Sequence, residues 1–383
     1  MNILMITHYA GAGGANHELL WLAKELIDRG HHISILLPCD GSFTKTLQKE
    51  QIYYKILPYK RWICRKNEKS KKFICVKKLG FWIRNRLVAL SIANFVKKNK
   101  INVIHTNDSL DVVGCYASQI VKIPHVWHLR EFLEEDYNLS IIYSDKYVQK
   151  WFAKSSRMIA ISQTIKHKYA PRIIRDNIVQ IYDGIPIFFS MAIIEKQSKD
   201  DMVKILYTGG TNEGKGFSEA LKIAGELKRR NDLHFILQVT GDCTQKEKYL
   251  PLIEEQQISN NVEFIGFTNQ LNVLRQKADI FLMTSQMEAF GLVTVEAMLS
   301  GLRVVGRKCG GTEEIISDGE NGFLYEPGNV LHACEKIKQA LALPDDGIEL
   351  RKRAYQDAVS RFDIRRTADQ MEQLYHEVLA KEK

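Results

Sequence analysis

Short apolar runs alternate with stretches of helical periodicity along most of this chain. Asn2–Thr7 reads as a strand, Ala15–Arg29 as a helix closed by Gly30, and His32–Leu37 as a second strand stopped by Pro38. Asn102–Thr106, His125–Leu129 and Met158–Ile161 read as further strands with helices between them. Such alternation predicts a parallel sheet covered on both faces. The pattern breaks over Tyr182–Ile187, at Asp-Gly and Pro186, and a polar stretch, Glu195–Asp201, follows. It then restarts with the strand Lys204–Thr208, a glycine-rich turn, the helix Phe217–Arg229 and the strand His234–Thr240. Val262–Ile265, Ile280–Met283, Gly291–Leu299 and Arg303–Gly306 continue it, and Ile364–Ala380 is helical with no strand after it. At 383 residues the chain exceeds one ordinary core. The expected fold is α/β, with two Rossmann-like, doubly wound parallel-sheet domains, 1–188 and 200–360, facing a cleft. The C-terminal helix, 364–383, is expected to pack back on the first domain. Sheets of this kind bind ligands at the carboxyl ends of their strands.

Composition narrows the class. Hydrophobic residues make up 45% and charged residues 26%, a soluble globular balance. The longest apolar candidate, Leu87–Val96, is interrupted by Ser91 and Asn94, falls short of a bilayer span and reads as ordinary core. Met1–Thr7 reads as a buried strand rather than a secretion leader. Seven scattered cysteines show no paired or zinc-type spacing, which suits a reducing cytoplasm and gives no metal site. The charge is concentrated: Lys55–Lys100 holds fifteen Lys or Arg and one acid, Glu68, so that with a net charge of +9 overall the remainder is negative.

The most informative segment is Glu288-Ala-Phe-Gly-Leu-Val-Thr-Val-Glu296, between a strand and a helix. Glu296 lies about 7.5 Å along the helix axis from Gly291. Gly291 lets backbone approach a ligand, and the helix start offers N–H groups to a phosphate. Two carboxylates flanking a diphosphate suit the hydroxyls at the two ends of a sugar nucleotide. Either acid alone would equally suit a solvated helix start.

This segment resembles the E-x7-E element of glycosyltransferase family 4, whose members have the GT-B fold and retain anomeric configuration. Other stretches match that family in order: Gly13-Gly14 its glycine loop, His128 in His-Leu-Arg-Glu its N-domain histidine, and Asp183-Gly184-Ile185 its linker. Lys215-Gly216 matches its phosphate lysine, Gly310-Gly311-Thr312-Glu313-Glu314 its G-G-x-x-E loop, and Asp318–Gly322 with Phe323-Leu324 the strand turn that follows. The resemblance implies that Glu288 binds donor-sugar hydroxyls near the reacting carbon and Glu296 the ribose. It implies that Lys215, with backbone amides of Phe290, Gly291, Leu292 and Val293, neutralises the diphosphate, and that His128 contacts the sugar from across the cleft. Gly13, Gly14 and Gly210 complete the expected donor-binding set. No protein nucleophile, metal or cofactor is implied; catalysis rests on positioning and leaving-group stabilisation. The family usually carries an arginine where this chain has Gly210, and Arg130, Arg303 and Arg307 are the candidate substitutes.

A UDP-sugar donor and a glycan or polyprenyl-diphosphate-linked acceptor, in O-antigen or capsule synthesis, follow as expectations. A sugar-nucleotide 2-epimerase on the same fold, or a degenerate binding subunit, stays open beside them. A dehydrogenase is disfavoured because Asn16 stands where Gly11-Ala-Gly13 calls for a third glycine. The basic insert Tyr59–Arg86 interleaves Trp62, Phe73, Phe81 and Trp82 with its cations. It suits a solvated face or, better, adsorption to an anionic membrane at the inner, cytoplasmic side; no nucleic-acid module accompanies it.

Overall fold

The computed structural model describes residues 1–11, 13–65, 71–175, 177–187, 202–231 and 233–381. The polar stretch Glu195–Asp201 and residues 66–70 of the basic insert lie outside the described residues, as does the side chain of Phe73. Two compact units divide the chain: Met1–Pro186 with Ile364–Lys383, and Ile187–Asp363.

The first unit contains β1 (Asn2–Ile6), β2 (His32–Leu37), β3 (Tyr54–Ile56), β4 (Ile63–Arg65), β5 (Val103–Thr106), β6 (His125–Leu129), β7 (Leu139–Ile141), β8 (Arg157–Ala160) and β9 (Ile178–Gln180). Seven of these form a parallel sheet in the order β3-β2-β1-β5-β6-β8-β9, while β4 and β7 pair antiparallel apart from it. Continuous burial along β1, β5 and β6 is what a sheet covered on both faces requires. The first helix, Gly14–Asp28, contributes Leu19, Leu22 and Leu26 to the core, where Ile364, Ala368, Met371 and Tyr375 of the last helix meet them. Gly184 permits that docking, because a Cβ there would lie 2.5 Å from the Ile364 Cα. Ile364 N–H donates to the Ile185 carbonyl at 3.1 Å.

The second unit holds β10 (Val203–Tyr207), β11 (Phe235–Thr240), β12 (Val262–Gly266), β13 (Ile280–Met283), β14 (Arg303–Arg307) and β15 (Phe323–Tyr325), in the parallel order β12-β11-β10-β13-β14-β15. In each sheet the strand that opens the unit sits inside, and the chain leaves it in both directions: β1 lies between β2 and β5, β10 between β11 and β13. That reversal opens a crevice at the strands' carboxyl ends. Both units are thus Rossmann-like, and the α/β fold read from the alternation is correct.

The periodicity missed β3, β4, β7 and β9, all three residues long and too short to show a period. The basic insert differs from expectation at its start. Tyr59 and Trp62 are core residues: the Tyr59 hydroxyl donates to the Thr7 carbonyl, and Trp62 stacks on Trp127 at 5.4 Å. Its tail forms one helix, Lys71–Lys98. Val88, Ala89, Ile92, Phe95 and Val96 are buried, as ordinary core should be, but Leu87 and Leu90 face outward. No helix among the described residues is long and apolar enough to cross a membrane.

Candidate functional site

The carboxyl edge of the second sheet is shaped by glycines. After β10 the chain turns through Gly210 at φ +57°, where a Cβ would lie 2.3 Å from the Asp242 carbonyl oxygen. The Asn212 side chain then accepts from Gly214 N–H at 2.8 Å, starting the short turn that carries Lys215. Gly216 has φ +75°, and a Cβ there would lie 1.8 Å from the Thr284 carbonyl oxygen. The Lys215 carbonyl accepts from the hydroxyls of Tyr207 (3.1 Å) and Thr284 (3.0 Å), so the lysine backbone is tied to the ends of both β10 and β13.

Glu288 stands on the loop after β13. Gln286 N–H donates to the Gly214 carbonyl at 3.1 Å, and Gly311 N–H to the Glu288 carbonyl at 2.7 Å. The Gly310-Gly311 pair is what lets that backbone approach: a Cβ on Gly310 would lie 2.2 Å from the Glu288 oxygen, and one on Gly311 2.3 Å from the Phe290 oxygen. Held this way, the Glu288 carboxylate meets Lys215 Nζ at 3.0 Å. The Phe290 ring is buried edge-on against Phe362, which leaves backbone as the part of Phe290 available to a ligand. Gly291, at φ +116°, starts the helix Leu292–Leu299. Its first N–H groups lack intrahelical acceptors by geometry. Nearby Cys309 is no nucleophile, since burial, reinforced by the Glu288 charge, pushes its thiol up to about 12.

Glu296 is bound by a residue that sequence reasoning missed. Arg275, buried on the helix Leu271–Lys277, pairs its guanidinium with the Glu296 carboxylate and donates to Asn272 Oδ1 at 3.2 Å. No spacing in the chain announces this contact across 21 positions.

The three candidate substitutes for the missing arginine separate cleanly. Arg303 opens β14 and bonds the carbonyls of Asp279 and Ala340, at the amino edge of the sheet and away from the Lys215 turn. Arg130 belongs to the first unit and is committed to two buried carboxylates there, Glu18 at 2.9 Å and Asp183 at 2.5 Å. Arg307 alone stands at the carboxyl end of a strand of the second sheet, 3.2 Å from Glu219.

In the first unit, Gly13 precedes the helix Gly14–Asp28 as its cap residue, in extended conformation. Asn16, where a dinucleotide fingerprint needs glycine, accepts from the Thr7 hydroxyl at 2.7 Å and donates to the carbonyls of Gly11 and Tyr9. It braces the glycine loop. His128 lies buried at the end of β6, its Nδ1 3.3 Å from His105 Nε2 and 3.5 Å from an Arg130 nitrogen, while its Nε2 meets no partner. Burial and the Arg130 charge hold His128 well below the usual histidine range and His105 at about 3. Both rings are neutral at pH 7. A second group also went unread: buried Asp108 and Asp111 with Glu131, beside His8 Nδ1 at 3.7 Å from Asp108 and 3.9 Å from Glu131. Burial pushes Asp108 up to about 8.

Residues 191–361 match the model of Glycosyl transferases group 1, and residues 12–187 that of Glycosyltransferase Family 4. N-acetyl-alpha-D-glucosaminyl L-malate synthase of Bacillus anthracis is 29% identical over 147 residues, covering 38% of this chain and 39% of that protein. An uncharacterised 41.2 kDa protein of the Klebsiella pneumoniae cps region is 24% identical over 70% of this chain and 79% of its own. Across several curated relatives, the chain spans only 39% to 64% of their length. Among solved structures, Anabaena Alr3699/HepE in complex with UDP superposes with a TM-score of 0.78 at 22% identity, covering 98% of this chain and all of that one. With one domain model on each unit and a parallel sheet beneath each, the chain is a GT-B protein of the glycosyltransferase family 4 kind.

Proposed function

We propose that the chain transfers a sugar from a nucleotide donor, a UDP-sugar first of all, to a hydroxyl of a lipid-linked glycan, with retention of configuration. One observation carries this reading: the Lys215–Glu288 pair, held by backbone at the switch point of the second sheet, beside the start of the Glu296 helix. Lys215 is half exposed, so its pairing with Glu288 contributes little to stability and is easily exchanged. A diphosphate arriving at the helix start takes the lysine and frees Glu288 for sugar hydroxyls. Lys215 and the helix N–H groups then stabilise the leaving phosphate as the sugar departs. The acceptor hydroxyl enters on the same face and gives its proton to phosphate oxygen. Glu296 holds the ribose, and the first unit serves the acceptor. This chemistry needs no metal, so EDTA leaves the rate unchanged.

The UDP complex of the Anabaena protein supports the choice of base, and the Klebsiella relative supports a role in surface polysaccharide. The helix Lys71–Lys98 supports placement on the inner membrane face. It carries no acid and exposes Val76, Leu79, Ile83, Leu87 and Leu90 at three- and four-residue spacing, opposite its buried face. Flotation with anionic but not neutral liposomes, lost in Leu79→Glu/Leu87→Glu, is the expected result; equal flotation with both sinks this placement.

The test of the donor site is a thermal-shift panel of UDP-, GDP- and ADP-sugars without metal. A donor at 100-fold its Kd adds about 2.7 kcal/mol of stability. A shift with UDP-sugars, abolished in Glu296→Ala, is expected. A shift that survives Glu296→Ala rejects the ribose role, and no shift with any donor rejects the reading.

A further inference from the structure

The buried polar chain through His128 has a direction, set by donors that cannot reverse. Arg130 carries only N–H groups and a permanent charge. Its Nη1, which also donates to Glu18 (2.9 Å) and Asn107 (3.2 Å), lies 3.5 Å from His128 Nδ1; a nitrogen facing a cationic donor presents its lone pair rather than a proton. His105 Nε2, 3.3 Å from the same lone pair, must then carry hydrogen. A neutral imidazole has one N–H, which leaves His105 Nδ1 bare. The Tyr375 hydroxyl, 2.5 Å away, is its donor. The same logic puts the single proton of His128 on Nε2, the buried atom with no partner inside the unit.

We infer that Tyr375, on the last helix, acts through His105 as a positioning residue that sets the tautomer of His128. In that tautomer His128 presents an Nε2–H donor at the carboxyl end of β6 and cannot act as a base there. Tyr375 lies 247 positions beyond His128, yet its helix packs in the same core, so the C-terminal segment sets the chemistry of the first unit's carboxyl edge. Ring geometry and burial agree. The rings of His105 and His128 meet edge-on at 5.3 Å, which suits an N–H aimed at a neighbouring ring nitrogen. Tyr375 is itself edge-on to His105 at 5.9 Å. All three side chains are fully buried, where a dangling donor or acceptor is costly and hydrogen-bond order is enforced.

The kinetic consequence rests on the proposed transferase reading; the tautomer does not. The experiment is therefore a long-range proton–nitrogen correlation spectrum of the histidine-labelled full chain at pH 7, with and without UDP. The expected spectrum shows both His105 and His128 as Nε2–H tautomers, with Nδ1 unprotonated. An Nδ1–H tautomer or an imidazolium at His128 overturns the inference without any variant having to fold. In Tyr375→Phe the His105 signals are expected to shift or mix between tautomers, and kcat to fall about five-fold, the scale of one neutral hydrogen bond, with donor KM little changed. Unaltered histidine signals in Tyr375→Phe overturn the relay. His128→Gln, whose amide N–H reaches the Nε2 position, is expected to retain more activity than His128→Asn, which replaces Nδ1; the reverse order overturns the assignment of the working atom. Nε2–H tautomers with full activity in His128→Ala leave the relay standing and reject any part for His128 in transfer.

Discussion

The two carboxyl edges hold charge in opposite ways. In the second unit the charges of the proposed site, Lys215 and Glu288, are partly exposed and paired loosely on a backbone that glycines dictate. In the first, Arg130, Glu18, Asp183, His105 and His128 are buried, and side-chain contacts alone determine one another's state. An exposed pair can be exchanged for a ligand at small cost. A buried one cannot, because removing one member strands the other's charge in a medium that does not solvate it. The second unit's pair can be given up to a ligand, as the proposed reading requires; the first unit's network keeps one geometry.

Breaking the buried network should therefore have the largest effect on folding. Arg130→Met is expected to destabilise the protein by about 3–5 kcal/mol in urea unfolding. Burial pushes the Glu18 and Asp183 carboxyls up while Arg130 pulls them down. Without the arginine their folded-state pKa values rise further above the unfolded ones, so the folded variant binds protons more readily than its unfolded chain. The deficit then grows as pH rises through the native folded-state pKa, about 8 for Glu18, and is smallest at lower pH, where that carboxyl stays protonated in both folded forms. A deficit independent of pH removes the charge explanation.

Glu288→Ala should leave stability nearly untouched and lower kcat about 10²–10³-fold, the scale of one electrostatic stabiliser. Undiminished transfer in that variant sinks the catalytic assignment. Gly210→Arg sharpens the contrast from another side. It restores the family's usual cation on paper, but the left-handed backbone and the Asp242 carbonyl leave no room for its Cβ. A loss of about 1–3 kcal/mol in thermal unfolding and no tighter UDP binding are expected. Tighter binding shows that the turn can reopen. The smallest stability change belongs to Lys215→Gln, within about 0.5 kcal/mol for the unliganded protein, since the pair is partly solvated. Its UDP-dependent thermal shift should nevertheless disappear, and retention of that shift moves the phosphate role elsewhere.

The second unit's edge was legible because its constraints are local. Gly216 beside Lys215, Gly310-Gly311 beneath Glu288 and Gly291 at the helix start each solve a backbone problem within a few residues, and each therefore leaves a spaced motif. Arg275 left none, because its partner Glu296 lies on a different helix and any long cation in that region would have read the same. The first unit's edge was legible as His128 and the Gly13-Gly14 loop, but not as a network. Of its supporting residues, Asn16, Arg130 and Asp183 were singled out for other reasons, while Glu18, His105 and Tyr375 are unremarkable where they occur. The charge count of the basic insert was right, but burial was not. Tyr59 and Trp62 point inward through distant partners, the Tyr59 hydroxyl donating to the Thr7 carbonyl and the Trp62 ring N–H to that of Ser109.

By itself the amino-acid order determined the two parallel sheets, the break between them and the glycine-rich motif at the second sheet's carboxyl edge, since periodicity and glycine placement act at short range. Only the tertiary structure decided which charges are partners, which aromatic side chains are core and which nitrogen of His128 carries its proton. Those outcomes depend on burial, and burial comes into being only when distant segments pack together.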